Sequence, residues 1–178
     1  RRNNNGEYDG VVISLDFDEE RRKISTFSKP ASLREMLSIQ PQETGDPPKN
    51  ICVNINAGDL CFNRRWPREY FTTLIRELLA AYNIRVFLLG GDNDQEYVKG
   101  LIREFPDDPR VIDTSGKLSI KELVGLYSES TLLISNDSGP LHLASMAGLQ
   151  TISFFGPETP ALYGPLGENH HVLYLDLY

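Results

Sequence analysis

The residues of this chain best suited to holding an anion are Asn136-Asp137-Ser138-Gly139-Pro140. They form a polar turn between the apolar run Leu132-Leu133-Ile134-Ser135 and a helical start, Leu141-His142-Leu143-Ala144. The amides that open a helix lack intrahelical partners and sit at the positive end of its dipole, so such a junction suits a phosphate. Gly139 lets a ligand approach the backbone, Pro140 fits the first helical position, where no donor is needed, and Asp137 or Ser138 can cap the remaining amides. His142 falls in the first helical turn, where an imidazole can donate to a bound anion and become cationic beside it. Taken alone, the five turn residues equally describe a capped turn; His142 tips the reading towards a ligand.

Three further groups can join this turn. In Arg64-Arg65-Trp66-Pro67 the guanidinium groups can reach phosphate oxygens in bidentate fashion, or remain a solvated pair beside a packed Trp. Gly90-Gly91-Asp92-Asn93-Asp94-Gln95-Glu96 sets carboxylates after a flexible turn, where one can accept from ribose hydroxyls; Asp92 and Asp94 also read as helix-start acids, and Glu96 is the preferred candidate. In Phe155-Gly156-Pro157-Glu158-Thr159-Pro160, Gly156 permits close approach and Thr159 can hydrogen-bond a phosphate or sugar oxygen, while the prolines equally make a rigid turn.

A competing chemistry lies near the start. Residues 11–18 form an apolar run ending in Asp16-Phe17-Asp18, similar to the pair that haloacid-dehalogenase-like hydrolases arrange around magnesium, and to the metal-binding pair of GT-A glycosyltransferases. The charged run Glu19-Glu20-Arg21-Arg22-Lys23 follows where the hydrolase pattern expects Thr or Val. Asp16 and Asp18 therefore read as a strand end entering a solvated linker. Cys52 and Cys61 form neither a metal spacing nor a disulfide framework and read as structural or incidental.

Elements that alternate along the chain must position these groups. Apolar, β-branched runs at 11–15, 51–55, 86–89, 111–112, 132–135, 151–155 and 171–175 predict strands. Between them, Tyr70, Phe71, Leu74, Ile75, Leu78 and Leu79 share a helical face, as do Tyr97, Val98, Leu101 and Ile102, and Ile120, Leu123, Val124 and Tyr127. Ser119-Ile120-Lys121-Glu122 has the form of a capping box. Short strands alternating with amphipathic helices predict an α/β, doubly wound parallel sheet of Rossmann type, which binds ligands beyond the carboxyl ends of its strands. The turns at 56–58, 90–92, 136–139 and 156–160 are then expected to converge. Residues 1–49 read as a linker and remnant of a preceding region, with one short helix around 32–39; residues 50–178 read as the binding domain.

Composition narrows the function. With 18 Lys and Arg against 25 Asp and Glu, the chain of 178 residues has a net charge of −7, which argues against a nucleic-acid partner. The apolar runs are too short to span a bilayer and the first residues lack a signal-peptide core, so a soluble, cytoplasmic protein is expected.

Taken together, Asn56-Ala57-Gly58, Arg64-Arg65-Trp66-Pro67, Gly90-Gly91 with Glu96, the stretch from Asn136 to Ala144, and Phe155 to Pro160 resemble glycosyltransferase family 9, the lipopolysaccharide heptosyltransferases. The resemblance spans roughly residues 50–167. It implies one half of a GT-B enzyme: a carboxyl-terminal domain binding a nucleotide-diphosphate sugar, with heptose among the sugars. Gly58, Arg64, Glu96, Asp137, Ser138, Gly139, His142 and Thr159 would be its donor-binding residues. Arg64 stands where well-known members carry a phosphate-binding Lys, and Glu96 would lie near the nucleoside. The implied chemistry is inverting transfer without cofactor or metal, to a lipopolysaccharide-core or other glycan acceptor. The general base and the acceptor contacts are expected on an amino-terminal domain absent from this sequence. Any peripheral association with the cytoplasmic face of the inner membrane would belong to the full-length protein, and the chain by itself is expected to bind nucleotide but transfer weakly or not at all. A non-catalytic nucleotide-binding domain is the alternative. Nucleotide-sugar epimerases share the broad fold and an Asp-Ser-Gly turn, but Pro140-Leu141-His142 does not match their continuation.

Overall fold

A computed structural model describes residues 47–58 and 62–174. The expected strand at 11–15, the short helix at 32–39, Asp16, Asp18 and Cys61 lie outside the described residues.

Six strands make one parallel sheet: β1 (Lys49–Asn54), β2 (Ile84–Leu89), β3 (Val111–Asp113), β4 (Leu132–Asn136), β5 (Thr151–Phe155) and β6 (His170–Tyr174). Their order across the sheet is β3-β2-β1-β4-β5-β6. In register, Ile51 lies beside Val86 on one side and Leu132 on the other, so β1 and β4 are neighbours although two strands and three helices separate them in sequence. Between β1 and β4 the winding reverses, which opens a crevice beyond their carboxyl ends.

Among the described residues, five α-helices flank the sheet: α1 (Arg68–Ala81), α2 (Gln95–Ile102), α3 (Ile120–Ser128), α4 (Gly139–Met146) and α5 (Pro160–Tyr163). Alternate residues of each central strand enter opposite cores, as the two-residue repeat of a strand requires. Ile51, Val53, Val86, Leu88 and Ile134 pack with Phe71, Ile75 and Leu79 of α1 and with Val98 and Leu101 of α2. Cys52, Phe87, Leu89 and Leu133 pack with Leu126 and Tyr127 of α3 and with Leu141 and Ala144 of α4. Burial on both faces explains why these strands read as continuous apolar runs and not as alternating ones.

Two packing expectations need correction. Tyr70 is exposed, and α1 seats Phe71, Thr72, Ile75 and Leu79 instead. On α3 the buried residues are Leu126 and Tyr127, whereas Ile120, expected on the same face, is 69% exposed. At the first helical position Ile120 is one full turn short of the packed stripe. The capping box itself is present: the Ser119 hydroxyl accepts from the Glu122 amide at 3.3 Å, and the Ser119 amide donates to Glu122 Oε2 at 2.8 Å.

Candidate functional site

At the reversal point three buried asparagines fasten the ends of β1, β2 and β4 to one another. Asn56 donates through Nδ2 to the Leu89 carbonyl at 2.8 Å, and approaches Asn54 Oδ1 at 3.3 Å. Asn54 Nδ2 reaches Ser138 Oγ at 2.7 Å, Ser135 Oγ at 3.1 Å and the Asn56 carbonyl at 3.1 Å. Asn136 donates to the Ile55 carbonyl and accepts from the Trp66 amide, both at 2.9 Å. That last bond holds the Arg64–Trp66 segment against β4. A buried amide with both ends engaged fixes its neighbours at low cost, whereas the same group unpaired would be expensive.

Above this lattice lies a cleft of about 550 Å³. One wall is Asn56, Ala57 and Gly58 after β1, with Gly58 in the left-handed region at φ 71° as the chain turns away. A second wall is Gly90, Gly91 and Asp94 after β2. A third is Asp137, Ser138, Gly139, Pro140 and His142 at the start of α4, and Leu118, Ile120 and Leu123 supply an apolar end. At Gly90 a Cβ would stand 3.0 Å from Asp94 Cβ and 3.1 Å from both Asn56 Nδ2 and Ser115 Cβ, so a side chain there would push the walls apart.

Charge at the mouth is organised by two ion pairs, Arg64–Asp137 and the longer Arg65–Asp94 at 3.9 Å. Arg64 Nη1 donates to Asp137 Oδ2 at 3.3 Å, with the Asp137 side chain only 4% exposed. The carboxylate therefore holds a guanidinium beside the opening of α4. Arg65 goes elsewhere: its guanidinium lies 4.6 Å from both the Phe62 and Tyr97 ring centroids and donates to the Gly58 carbonyl at 3.2 Å. The two arginines, equivalent in sequence, thus separate into one that lines the cleft and one that ties two of its walls together, through the Gly58 carbonyl and Asp94.

Of the eight expected site residues, Gly58, Arg64, Asp137, Ser138, Gly139 and His142 come together around the cleft. Glu96 does not: its side chain is 79% exposed and pairs with Lys99 at 2.6 Å, a bond that holds its carboxyl below the usual range. One helical position places it outward, and Asp94, two residues earlier, occupies the wall instead. There Asp94 Oδ2 accepts from the Gly91 amide at 2.9 Å. Thr159 is also outside the cleft lining; its hydroxyl accepts from the Ala161 amide and caps α5. Its helix contributes Tyr163 to the cleft in its place.

The turns divide between two cavities. Gly156 and Pro157 line a second hollow of about 510 Å³ with Arg64, Arg65 and Trp66, floored by Phe154, whose ring stacks on Trp66 at 4.4 Å. Arg64 borders both cavities. Capping also differs from expectation. Ser138 is the N-cap of α4, yet its hydroxyl makes no bond to the helix amides, and the Asp137 carboxylate is held by Arg64. Pro140 takes the second helical position, behind Gly139.

Sequence reasoning missed Asn54 as a cleft former, took Asn56 only as part of a converging turn, and passed over Asp94 in favour of Glu96. The available signal was Val53-Asn54-Ile55-Asn56: two asparagines on the same face of an otherwise apolar strand end, each an amide needing a buried partner.

Residues 16–178 match the family model described as glycosyltransferase family 9 (heptosyltransferase), a longer stretch than the motifs alone cover. The chain is 27% identical over 114 residues to lipooligosaccharide heptosyltransferase 2 of Haemophilus influenzae, covering 63% of this chain and 33% of that protein. It is 29% identical over 136 residues to lipopolysaccharide heptosyltransferase 1 of Campylobacter coli, covering 75% and 39%. In structure it is similar to an Escherichia coli heptosyltransferase solved with ADP, with a TM-score of 0.61 at 25% identity over 85% of this chain and 46% of that one. The chain thus spans little more than a third of the length of the curated relatives it matches.

Proposed function

The chain belongs to glycosyltransferase family 9, and on that premise we propose that it is the donor-binding domain of an inverting glycosyltransferase. It holds a nucleotide-diphosphate sugar, with ADP as the nucleotide and a heptose as the sugar, for transfer to a lipopolysaccharide-core or other glycan acceptor. The observation that carries this reading is the cleft at the β1–β4 reversal, where the amino end of α4, the Arg64–Asp137 pair and His142 face one space.

Each wall has a part in the binding. The diphosphate lies over the start of α4, where helix amides and the Arg64 guanidinium face its oxygens. The base lies against Leu118, Ile120 and Leu123, which explains a large apolar side chain exposed at the first position of α3. Asp94 and Asn56 flank the ribose. Departure of the nucleoside diphosphate accumulates negative charge on its oxygens, and donors already aimed at that place stabilise it without reorganisation. This reading assigns charge compensation to side chains and amides and calls for no cofactor or metal. The general base and the acceptor contacts belong to a partner domain, with the whole protein working at the cytoplasmic face of the membrane that bears the acceptor.

Isothermal titration calorimetry of the chain with ADP, UDP and GDP tests the reading. ADP is expected to bind at submillimolar concentration and more tightly than the other two. Heat no different from buffer for all three at millimolar concentration would remove it.

A further inference from the structure

Base, ribose and diphosphate reach along the cleft from the start of α3 to the start of α4, and one lining side chain lies beyond them. Across the sheet the strands run β3, β2, β1, β4, β5. Leu118 and Ile120 enter the cleft after β3, Gly90 and Asp94 after β2, Asn56 after β1, and Asp137 to His142 after β4. Tyr163 enters after β5, from the end of α5. A linear ligand with its base by Ile120 and its diphosphate over α4 therefore carries its next group towards Tyr163.

Hydrogen bonds fix the backbone of this tyrosine and leave its phenol unused. The Tyr163 amide donates to the Thr159 carbonyl at 3.1 Å, and the Gly164 amide to the Pro160 carbonyl at 2.8 Å. Gly164 is packed so closely that a Cβ there would stand 2.5 Å from the Pro160 carbonyl oxygen. Three residues after Tyr163, the Leu166 carbonyl accepts from the Ser145 hydroxyl of α4 and bonds His170 Nε2 at 2.8 Å, which ties this segment to the flank of α4. Tyr163 itself is 49% exposed, and its hydroxyl has no hydrogen bond among the described residues.

We propose that Tyr163 recognises the sugar of the nucleotide-diphosphate sugar, through its ring face and its hydroxyl. The assignment rests on the nucleotide-sugar reading of the cleft. A phenol presents a flat apolar face and a hydroxyl that both donates and accepts, and a sugar ring presents C–H faces edged by hydroxyls. The second hollow also borders Arg64, but its Trp66 and Phe154 pack into the core under α1, on the opposite face of the sheet from α4. A sugar joined to a diphosphate on α4 stays on the α4 side, with Tyr163.

Titration calorimetry with ADP and with ADP-heptose is run on the unaltered chain, Tyr163→Phe, Tyr163→Ala and, in the second hollow, Leu173→Ala. ADP-heptose is expected to bind the unaltered chain more tightly than ADP does. Tyr163→Phe should weaken ADP-heptose about fivefold, the worth of one hydrogen bond, with ADP unchanged. Tyr163→Ala should weaken it about tenfold or more, again with ADP unchanged. Leu173→Ala should alter neither ligand. Should Tyr163→Ala not fold, Tyr163→Phe decides. Equal losses for ADP and ADP-heptose at Tyr163, no loss there, or a loss of ADP-heptose at Leu173 instead overturns the assignment while the nucleotide reading stands. ADP-heptose binding no tighter than ADP overturns it too. Absence of binding by both ligands to the unaltered chain removes the assignment and the nucleotide reading together.

Discussion

The starts of α3 and α4 pair the same N-cap residue with opposite outcomes. Ser119-Ile120-Lys121-Glu122 closes on itself: hydroxyl to amide, carboxylate to amide, and a branched side chain at the first helical position. Ser138-Gly139-Pro140-Leu141 makes no such box: Pro140 has no amide hydrogen, the Leu141 amide donates to the Ser138 carbonyl at 3.1 Å, a buried apolar residue stands where the box would have its glutamate, and the first position has no side chain. A capping residue's behaviour is set by what competes for its hydroxyl and by which amides the helix offers it. Ser119 has only its own helix and Glu122 nearby, and capping wins. Ser138 lines the β1–β4 crevice, where the buried Asn54 amide donates to it at 2.7 Å and Pro140, at the second helical position, has no amide to be capped.

Substitution at the first helical position should break the comparison most sharply. A Cβ on Gly139 would meet nothing within 4 Å, so Gly139→Leu is expected to fold with an unchanged melting temperature while filling the space above the amides. Calorimetry should show ADP affinity falling by about thirtyfold or more, making the start of α4 as closed as that of α3. An unchanged affinity would mean that the phosphate lies elsewhere. The converse substitution, Ser119→Ala, should cost about 1 kcal/mol in denaturant unfolding and leave ADP binding untouched, because that cap serves the helix alone. Equal effects of the two on binding would erase the distinction.

The smallest expected effect lies away from both helix starts. His170 bonds the Leu166 carbonyl and Thr151 Oγ1, clasping the β5–β6 connection, and burial holds its pKa below the ordinary 6.5 despite the Leu166 bond. A folded-state value below the unfolded one makes the neutral form the native form. This contribution is therefore complete above pH 6.5 and is lost as pH falls from there through the lower folded-state value. Melting curves between pH 7.5 and 5.5 should show a shallow decline that His170→Gln flattens, with ADP affinity at fixed pH unaffected. A decline of equal steepness in the variant would assign it to other groups.

Much of the fold was legible because two-sided burial leaves a simple mark. Runs such as Val86-Phe87-Leu88-Leu89 have no polar face, and only a central parallel strand between helical layers needs that. The capping box of α3 was legible for a different reason, since all its bonds fall within four residues. The lining of the cleft was legible where its residues lie together in one short motif, as at Asp137 to His142. It was illegible where the answer depended on a helical angle, as with Glu96, which points to solvent beside Lys99 while Asp94 takes the wall. Thr159 failed likewise, because its hydroxyl found a local amide first.

By itself the sequence determined the alternation of strands and helices, the apolar faces, and the strand-turn-helix at Ser135 to His142, all properties set by neighbours within a turn or a pleat. Only the tertiary structure decided that β4 lies beside β1. That adjacency brings Asn54 under Ser138 and Arg64 against Asp137, contacts 84 and 73 residues apart in the chain. Local propensity gives Ser138 every reason to cap its helix. A hydrogen bond from a distant strand, at 2.7 Å, turns its hydroxyl to Asn54 instead, and the Leu141 amide takes the Ser138 carbonyl.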